Sequence, residues 1–271
     1  MTMSDKTKAW NVALIQSDIV LGQPAQNRER METRMEQAVS ATEKPDVIVL
    51  PEMWNTGYDL NQIGSLADPD GKESRAWLAS FARTHGVHIV AGSIAEKRGD
   101  KVYNTMLVFD RTGREVASYS KIHLFRLMEE EKHLAPGDRV VKFELDGIPS
   151  GASICYDIRF PELARTLSLN GTEVLFVPAE WPHPRLHHWR TLLMARAIEN
   201  QMYVIACNRT GTGGRDVFFG HSLIIDPWGE IVAEGGEEEG IVTGRVDLGL
   251  VAEVRGRIPV FSDRRPSLYE L

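Results

Sequence analysis

Two apolar runs far apart in the chain end in the same way, and this repeat constrains the fold more than any other feature. V-I-V-L-P-E-M-W closes on Trp54, and V-L-F-V-P-A-E-W closes on Trp181. Each is a continuous apolar segment of strand length, stopped by proline and followed by a carboxylate, Glu52 in the first and Glu180 in the second. Matching exits of this kind imply a pseudo-symmetric pair of sheets packed face to face, with helices outside. The runs around them alternate accordingly: N-V-A-L-I-Q from Asn11, a helix over 24–42, the strand into Glu52, a helix over 73–84, then V-H-I-V-A-G-S-I from Val87. V-Y-N-T-M-L-V-F-D, a turn at 111–114 and E-V-A-S-Y-S-K ending at Lys121 read as antiparallel strands, so the sheet is mixed. The second half offers E-V-L-F-V-P from Glu173, a helix over 186–200, M-Y-V-I-A-C, and a hairpin from Ser222 with its turn at 226–229. The fold class is α/β.

A length of 271 residues suits one large α/β domain spanning 1–271. The stretch from about Leu248 to Leu271 is charged, contains prolines and holds too few apolar residues for its own core; it is expected to pack on a partner subunit. A net charge of −7 without a basic block argues against nucleic acid or an anionic membrane as partner. No apolar run is long enough to span a bilayer, and M-T-M-S-D-K-T-K-A-W lacks a secretory signal's apolar stretch, so a cytoplasmic protein with a small-molecule substrate is expected. Two cysteines do not make a disulfide framework.

Cys155 sits where a short apolar run (148–154) gives way to one with helical spacing (160–169). A thiol at such a junction is a nucleophile candidate, because N–H groups at a helix start favour the thiolate and supply donors for an oxyanion. Cys207, closing Y-V-I-A-C, reads as core.

A cysteine acting on an amide needs a base for its proton, an acid for the departing ammonia, and positive charge or N–H donors for the tetrahedral oxyanion. Strand ends supply the types. Glu52 lies at the lip of a sheet in partly desolvated surroundings, which suits a proton shuttle. Lys121, in Y-S-K-I-H-L-F, offers a fixed cation amid apolar neighbours.

L-P-E-M-W-N-T-G-Y around Glu52, S-K-I-H-L-F around Lys121 and I-C-Y-D-I-R-F-P-E around Cys155 together resemble the three signatures of the nitrilase, or carbon–nitrogen hydrolase, superfamily, in its order and along nearly the whole chain. The resemblance implies a four-layer α-β-β-α sandwich of two mixed β-sheets, a homodimer, and no metal or organic cofactor. It implies that Glu52 deprotonates the thiol and later activates water, that Lys121 steadies the tetrahedral intermediate, and that the Tyr156 backbone N–H completes the oxyanion hole. A second glutamate is implied after the lysine signature; Glu130 is the best match by its distance to Pro136 and Gly137, with Glu129 and Glu131 as alternatives.

V-P-A-E-W-P-H-P-R-L-H-H-W-R and A-C-N-R-T-G are similar to the omega-amidase branch, which implies hydrolysis of the terminal amide of 2-oxoglutaramate or 2-oxosuccinamate through a cysteinyl thioester. Recognising the distal carboxylate calls for an arginine fork. Arg159 is the first candidate, followed by Arg185 and Arg209, with Trp181 as an apolar wall. Glu180 is read as a structural carboxylate. An N-carbamoyl amino acid hydrolase, a nitrilase or another aliphatic amidase would use the same three groups. A catalytically inactive binding protein on this fold is the alternative of another class, against which the intact triad speaks.

His183, His187 and His188 have some look of a metal site, but no H-E-x-x-H pattern occurs and the neighbouring tryptophan and prolines suggest a packed loop. G-A-S-I-C differs from a serine-hydrolase elbow in placing Ser153 inside the strand.

Overall fold

A computed structural model describes residues 9–269. Its layering follows from period-two alternation in the first strands. Along Ala9–Gln16, Val12 and Leu14 enter the apolar core between the sheets, whereas Ala13 and Ile15 join a separate cluster with Met31 and Met35 of helix Pro24–Val39. Strand Val47–Val49 repeats the division: Val47 and Val49 face the inner core, and Ile48 lies with Leu78 and Phe81 of helix Lys72–His85. Apolar residues on both faces of a strand require cover on both sides. The result is helix, sheet, sheet, helix.

The first sheet has the order Gly240–Asp247, Ala9–Gln16, Val47–Val49, His88–Val90, Lys101–Phe109, Ile94–Arg98, Asp68–Pro69, with Glu115–Ser120 also paired to Lys101–Phe109. The second runs Ile231–Glu234, Leu223–Ile225, Tyr203–Asn208, Val174–Ala179, Ile148–Ala152, Lys142–Leu145. Each contains three adjacent parallel strands. Glu52 leaves the middle one of the first trio and Glu180 the middle one of the second, which is the symmetry the repeated exits imply. Every residue of Val174–Ala179 and Tyr203–Asn208 is buried, which explains their unbroken apolar runs. Helices Pro161–Leu169 and Leu186–Asn200 flank this sheet, contributing Leu163, Leu167, Trp189 and Leu193 to its core.

Two elements depart from the sequence reading. Gly240–Asp247, not read as a strand, pairs with Ala9–Gln16 along all eight residues. Its glycine and arginine obscure the pattern, and an edge position tolerates both. The tail from Leu248 begins with helix Gly249–Arg257, which buries Val251 and Val254 in the chain's own core. There Arg255 Nη2 donates to the Thr172 carbonyl at 2.7 Å, and Gln201 Nε2 to that of Ile258 at 2.8 Å. The start of the tail therefore folds on its own subunit, while Ile258, Leu268 and Tyr269 remain exposed.

Candidate active site

The loop carrying Glu52 is braced from behind by Ala91, Gly92 and Ser93, which follow strand His88–Val90. Trp54 Nε1 donates to the Ala91 carbonyl at 2.9 Å, and Met53 N to Ser93 Oγ at 2.9 Å. Met53 accepts a left-handed φ of 46°, a conformation costly for a non-glycine residue. Gly92 allows the close approach: its φ is 55°, and a Cβ there would fall 1.9 Å from the Pro51 carbonyl oxygen. Gly92→Ala is therefore expected to destabilise the fold by more than ~3 kcal/mol, as strain at a special φ combined with a backbone clash. Thermal unfolding measures this, and an unchanged melting temperature would contradict the bracing.

Glu52 is fully buried rather than at a half-solvated lip. Its Oε1 accepts from Tyr58 Oη at 2.6 Å, Asn104 Nδ2 at 2.8 Å and Lys121 Nζ at 2.9 Å; its Oε2 accepts from the Glu180 backbone N–H at 2.7 Å. Lys121 follows strand Glu115–Ser120 and is also buried; it donates to Glu130 Oε1 at 2.6 Å and to Tyr58 Oη at 3.2 Å. All three ammonium hydrogens thus have acceptors. Burial alone would lower the Lys121 pKa, but Glu130 and Glu52 more than offset this and hold it well above its ordinary value. Glu130 is pushed up, because burial outweighs the attraction of Lys121. Of the three adjacent glutamates only Glu130 reaches this cluster, its Oε2 also accepting from Phe125 N at 3.0 Å; Glu129 and Glu131 are exposed. Tyr58 and Asn104 were not singled out in the sequence, although N-T-G-Y places the tyrosine inside the Glu52 signature.

Cys155 is buried, with a left-handed φ of 47°. Asp157 fixes this bend: Oδ2 accepts from Ile154 N at 2.9 Å and Tyr119 Oη at 2.7 Å, and Oδ1 from His123 N at 3.0 Å. Tyr119 and His123 flank Lys121, so one buried carboxylate ties the cysteine's bend to the lysine's segment. The expected helix start is displaced. Cys155–Arg159 is a 3-10 turn, Phe160 is extended, and the α-helix begins with proline at Pro161–Leu169. The thiolate is not favoured at rest either: burial first, then the Glu52 carboxylate, push the thiol well above its usual value against the pull of Lys121. A thiol so held would need a base before it could act as a nucleophile. Cys207 is core, its Sγ donating to the Ile15 carbonyl at 3.5 Å.

Cys155, Tyr156, Glu180 and Trp181 line one cleft with Phe125, Arg159 and Arg185. The Arg159 guanidinium lies 4.8 Å from the Trp181 ring centre, with Nη2 3.2 Å from His188 Nδ1; Arg185 lies 5.7 Å from the Phe125 ring. Both arginines are therefore at the rim beside the thiol. Arg209 is not; it lines a neighbouring cavity together with Tyr58 and Glu180. Its side chain is fully buried and committed to Glu180 Oε2 at 2.9 Å, Asp18 Oδ1 at 2.8 Å and the Ile19 carbonyl at 2.9 Å.

A buried carboxylate and a buried ammonium from one sheet stand beside a cysteine from the other. The chain belongs to the carbon-nitrogen hydrolase family, whose model matches residues 11–256, and it is an amidohydrolase acting on C–N bonds other than peptide bonds. It is 52% identical over 260 residues to the 2-oxoglutaramate amidase of Bacillus subtilis (strain 168), covering 96% of this chain and 99% of that one. It is 36% identical over 245 residues to omega-amidase NIT2 of Homo sapiens, covering 85% and 87%. Among solved structures, Saccharomyces cerevisiae Nit3, a member of branch 10 of the nitrilase superfamily, superposes with a TM-score of 0.88 at 30% identity over 95% and 97% of the two chains.

Proposed function

We propose that this protein hydrolyses the terminal amide of a small 2-oxo dicarboxylate monoamide, such as 2-oxoglutaramate or 2-oxosuccinamate, through a thioester on Cys155. The observation that carries the reading is the Lys121 ammonium shared between Glu52 and Glu130, beside a thiol whose cleft is rimmed by Arg159 and Arg185. The likeness to 2-oxoglutaramate amidase supports the acyl chain.

In this mechanism Glu52 takes the thiol proton as sulfur attacks the amide carbon, so charge never rests on a buried free thiolate. The carbonyl electron pair moves onto oxygen, where Lys121 and the Tyr156 N–H meet it. Of the three Lys121 contacts, the one to Tyr58 is the longest, and that N–H is the one free to turn toward the oxyanion. Glu52 then hands its proton to nitrogen, the C–N bond breaks and ammonia leaves. Water, deprotonated by Glu52, attacks the thioester; the C–S bond breaks, the acid is released, and Glu52 returns that proton to the sulfur of Cys155. Glu130 and Tyr58 hold Lys121 and Glu52 in register throughout.

Ammonia release should be fastest from 2-oxoglutaramate or 2-oxosuccinamate in a panel that includes N-carbamoyl amino acids, simple nitriles and neutral aliphatic amides. Preference for a carbamoyl compound or a nitrile would overturn the substrate assignment. Arg159→Met should raise KM for a dicarboxylate monoamide by about 10- to 100-fold, the size of one lost charge-assisted hydrogen bond, and leave KM for a neutral amide nearly unchanged. Equal effects on both would remove Arg159 from carboxylate binding.

The same reading places the enzyme in the cytoplasm as a homodimer or higher homo-oligomer, using the exposed apolar residues beyond the helix Gly249–Arg257 as contact surface. Both cysteines are free, and among the described residues no helix is long and apolar enough to cross a membrane.

A further inference from the structure

The two halves of the chemistry come from different sheets. Glu52 and Lys121 leave the first sheet and Cys155 the second, and what lies between is an apolar core, which attracts without direction. A misplacement of about 1 Å at reacting groups costs on the order of 10²-fold in rate, so the register of the two sheets needs a directional tie. Asp157 supplies one between the Lys121 segment and the Cys155 bend, and residue 180 supplies another between Cys155 and Glu52. The Glu180 backbone N–H donates to Glu52 Oε2 at 2.7 Å, and its carbonyl oxygen lies 4.0 Å from Cys155 Sγ. The peptides on either side of Glu180 thus touch both the base and the nucleophile.

The Glu180 side chain is anchored in turn. Oε2 accepts from Arg209 Nη1 at 2.9 Å, and Arg209 Nη2 reaches Asp18 Oδ1 at 2.8 Å, the Ile19 carbonyl at 2.9 Å and the Thr212 carbonyl at 3.1 Å. Asp18 and Ile19 follow Ala9–Gln16 of the first sheet, whereas Glu180 and Arg209 follow strands of the second. One backbone contact closes the same seam, Thr210 N donating to the Ser17 carbonyl at 3.2 Å. We propose that Arg209 and Glu180 are positioning residues, a polar clamp across the seam between the sheets that sets the placement of Glu52 against Cys155. This assignment rests on the thiol mechanism proposed above and not on the identity of the substrate.

Burial, only partly offset by Arg209, pushes the Glu180 carboxyl up to about 8, and Glu180→Gln keeps the shape and the oxygen that accepts from Arg209. Asp18 is about one-third exposed, so Asp18→Asn loosens the clamp without opening a cavity. The experiment compares Arg209→Met, Glu180→Gln and Asp18→Asn in the full-length protein. It reads kcat and KM for an anionic and a neutral amide, the melting temperature, and the pH profile of iodoacetamide alkylation at Cys155, followed on the Cys155 peptide by mass spectrometry.

Arg209→Met should lower kcat about 10²-fold with KM changed less than about threefold for either amide, and should displace the alkylation profile. Asp18→Asn should move both readouts the same way by about three- to tenfold, and Glu180→Gln should move them in that direction too, by less than Arg209→Met does. A KM effect confined to the anionic amide would make Arg209 a substrate ligand and overturn the proposal. Loss of melting temperature with an unmoved alkylation profile would also overturn it, as a purely structural role. Should Arg209→Met not fold, Asp18→Asn decides: unchanged kcat and alkylation reject the clamp. Alkylation uses no substrate, so a wrong substrate assignment leaves this test intact.

Discussion

Lys121→Ala is expected to cut kcat by at least about 10²- to 10³-fold, the cost of losing one donor to a developing oxyanion. It should also weaken the fold, because Glu52 and Glu130 would be left as two buried carboxylates facing one another without the cation between them. Removing one partner of a buried ion pair typically costs about 3–5 kcal/mol, against a total stability of about 5–15 kcal/mol for a domain. Protonation of Glu130 relieves part of this strain, since its pKa is already raised. The stability deficit should therefore grow as pH rises and that proton becomes harder to retain. Urea unfolding at two pH values and single-turnover kinetics measure the two effects separately. A near-normal kcat in a folded variant would remove Lys121 from the mechanism.

Cys155→Ala should abolish turnover, with a loss on the order of 10⁶-fold as found when a covalent hydrolase loses its nucleophile. The fold should hold, because the bend at residue 155 is fixed by Asp157 rather than by sulfur. Acid quenching of the parent enzyme during turnover should trap an acyl adduct on the Cys155 peptide by mass spectrometry, and the variant should show none. An adduct on Cys207 instead would defeat the assignment, although that thiol is wholly enclosed.

Much of this site was legible because its three principal groups leave strands, where apolar runs mark the exits. Glu52, Lys121 and Cys155 each stand at such a boundary. The helix expected over 186–200 coincides with Leu186–Asn200, although its apolar residues do not keep to one face. Tyr58, Asn104 and Asp157 were not read as site residues. Their meaning lies in hydrogen bonds to partners distant in the chain, and a polar residue in a signature or a strand does not announce which partner it serves. The arginines show the same limit: Arg159 and Arg209 look alike as side chains, yet one stands in the cleft with Cys155 and the other is held by Glu180 and Asp18. The hairpin formed by Thr210–Gly213 and Asp216–Phe219 escaped notice because T-G-T-G carries no apolar alternation. Selection among Glu129, Glu130 and Glu131 turned on direction alone, because successive residues around this short helical segment point different ways.

The pairing of Ala9–Gln16 with Gly240–Asp247 has a bearing on biosynthesis. During translation Ala9–Gln16 emerges long before its antiparallel neighbour exists, so a nascent chain carries an open, aggregation-prone border until Gly240–Asp247 has been made. The other strands of that sheet all lie between Ala9 and Ser120 and can pair early, so this one border is what the finished fold has to cover last.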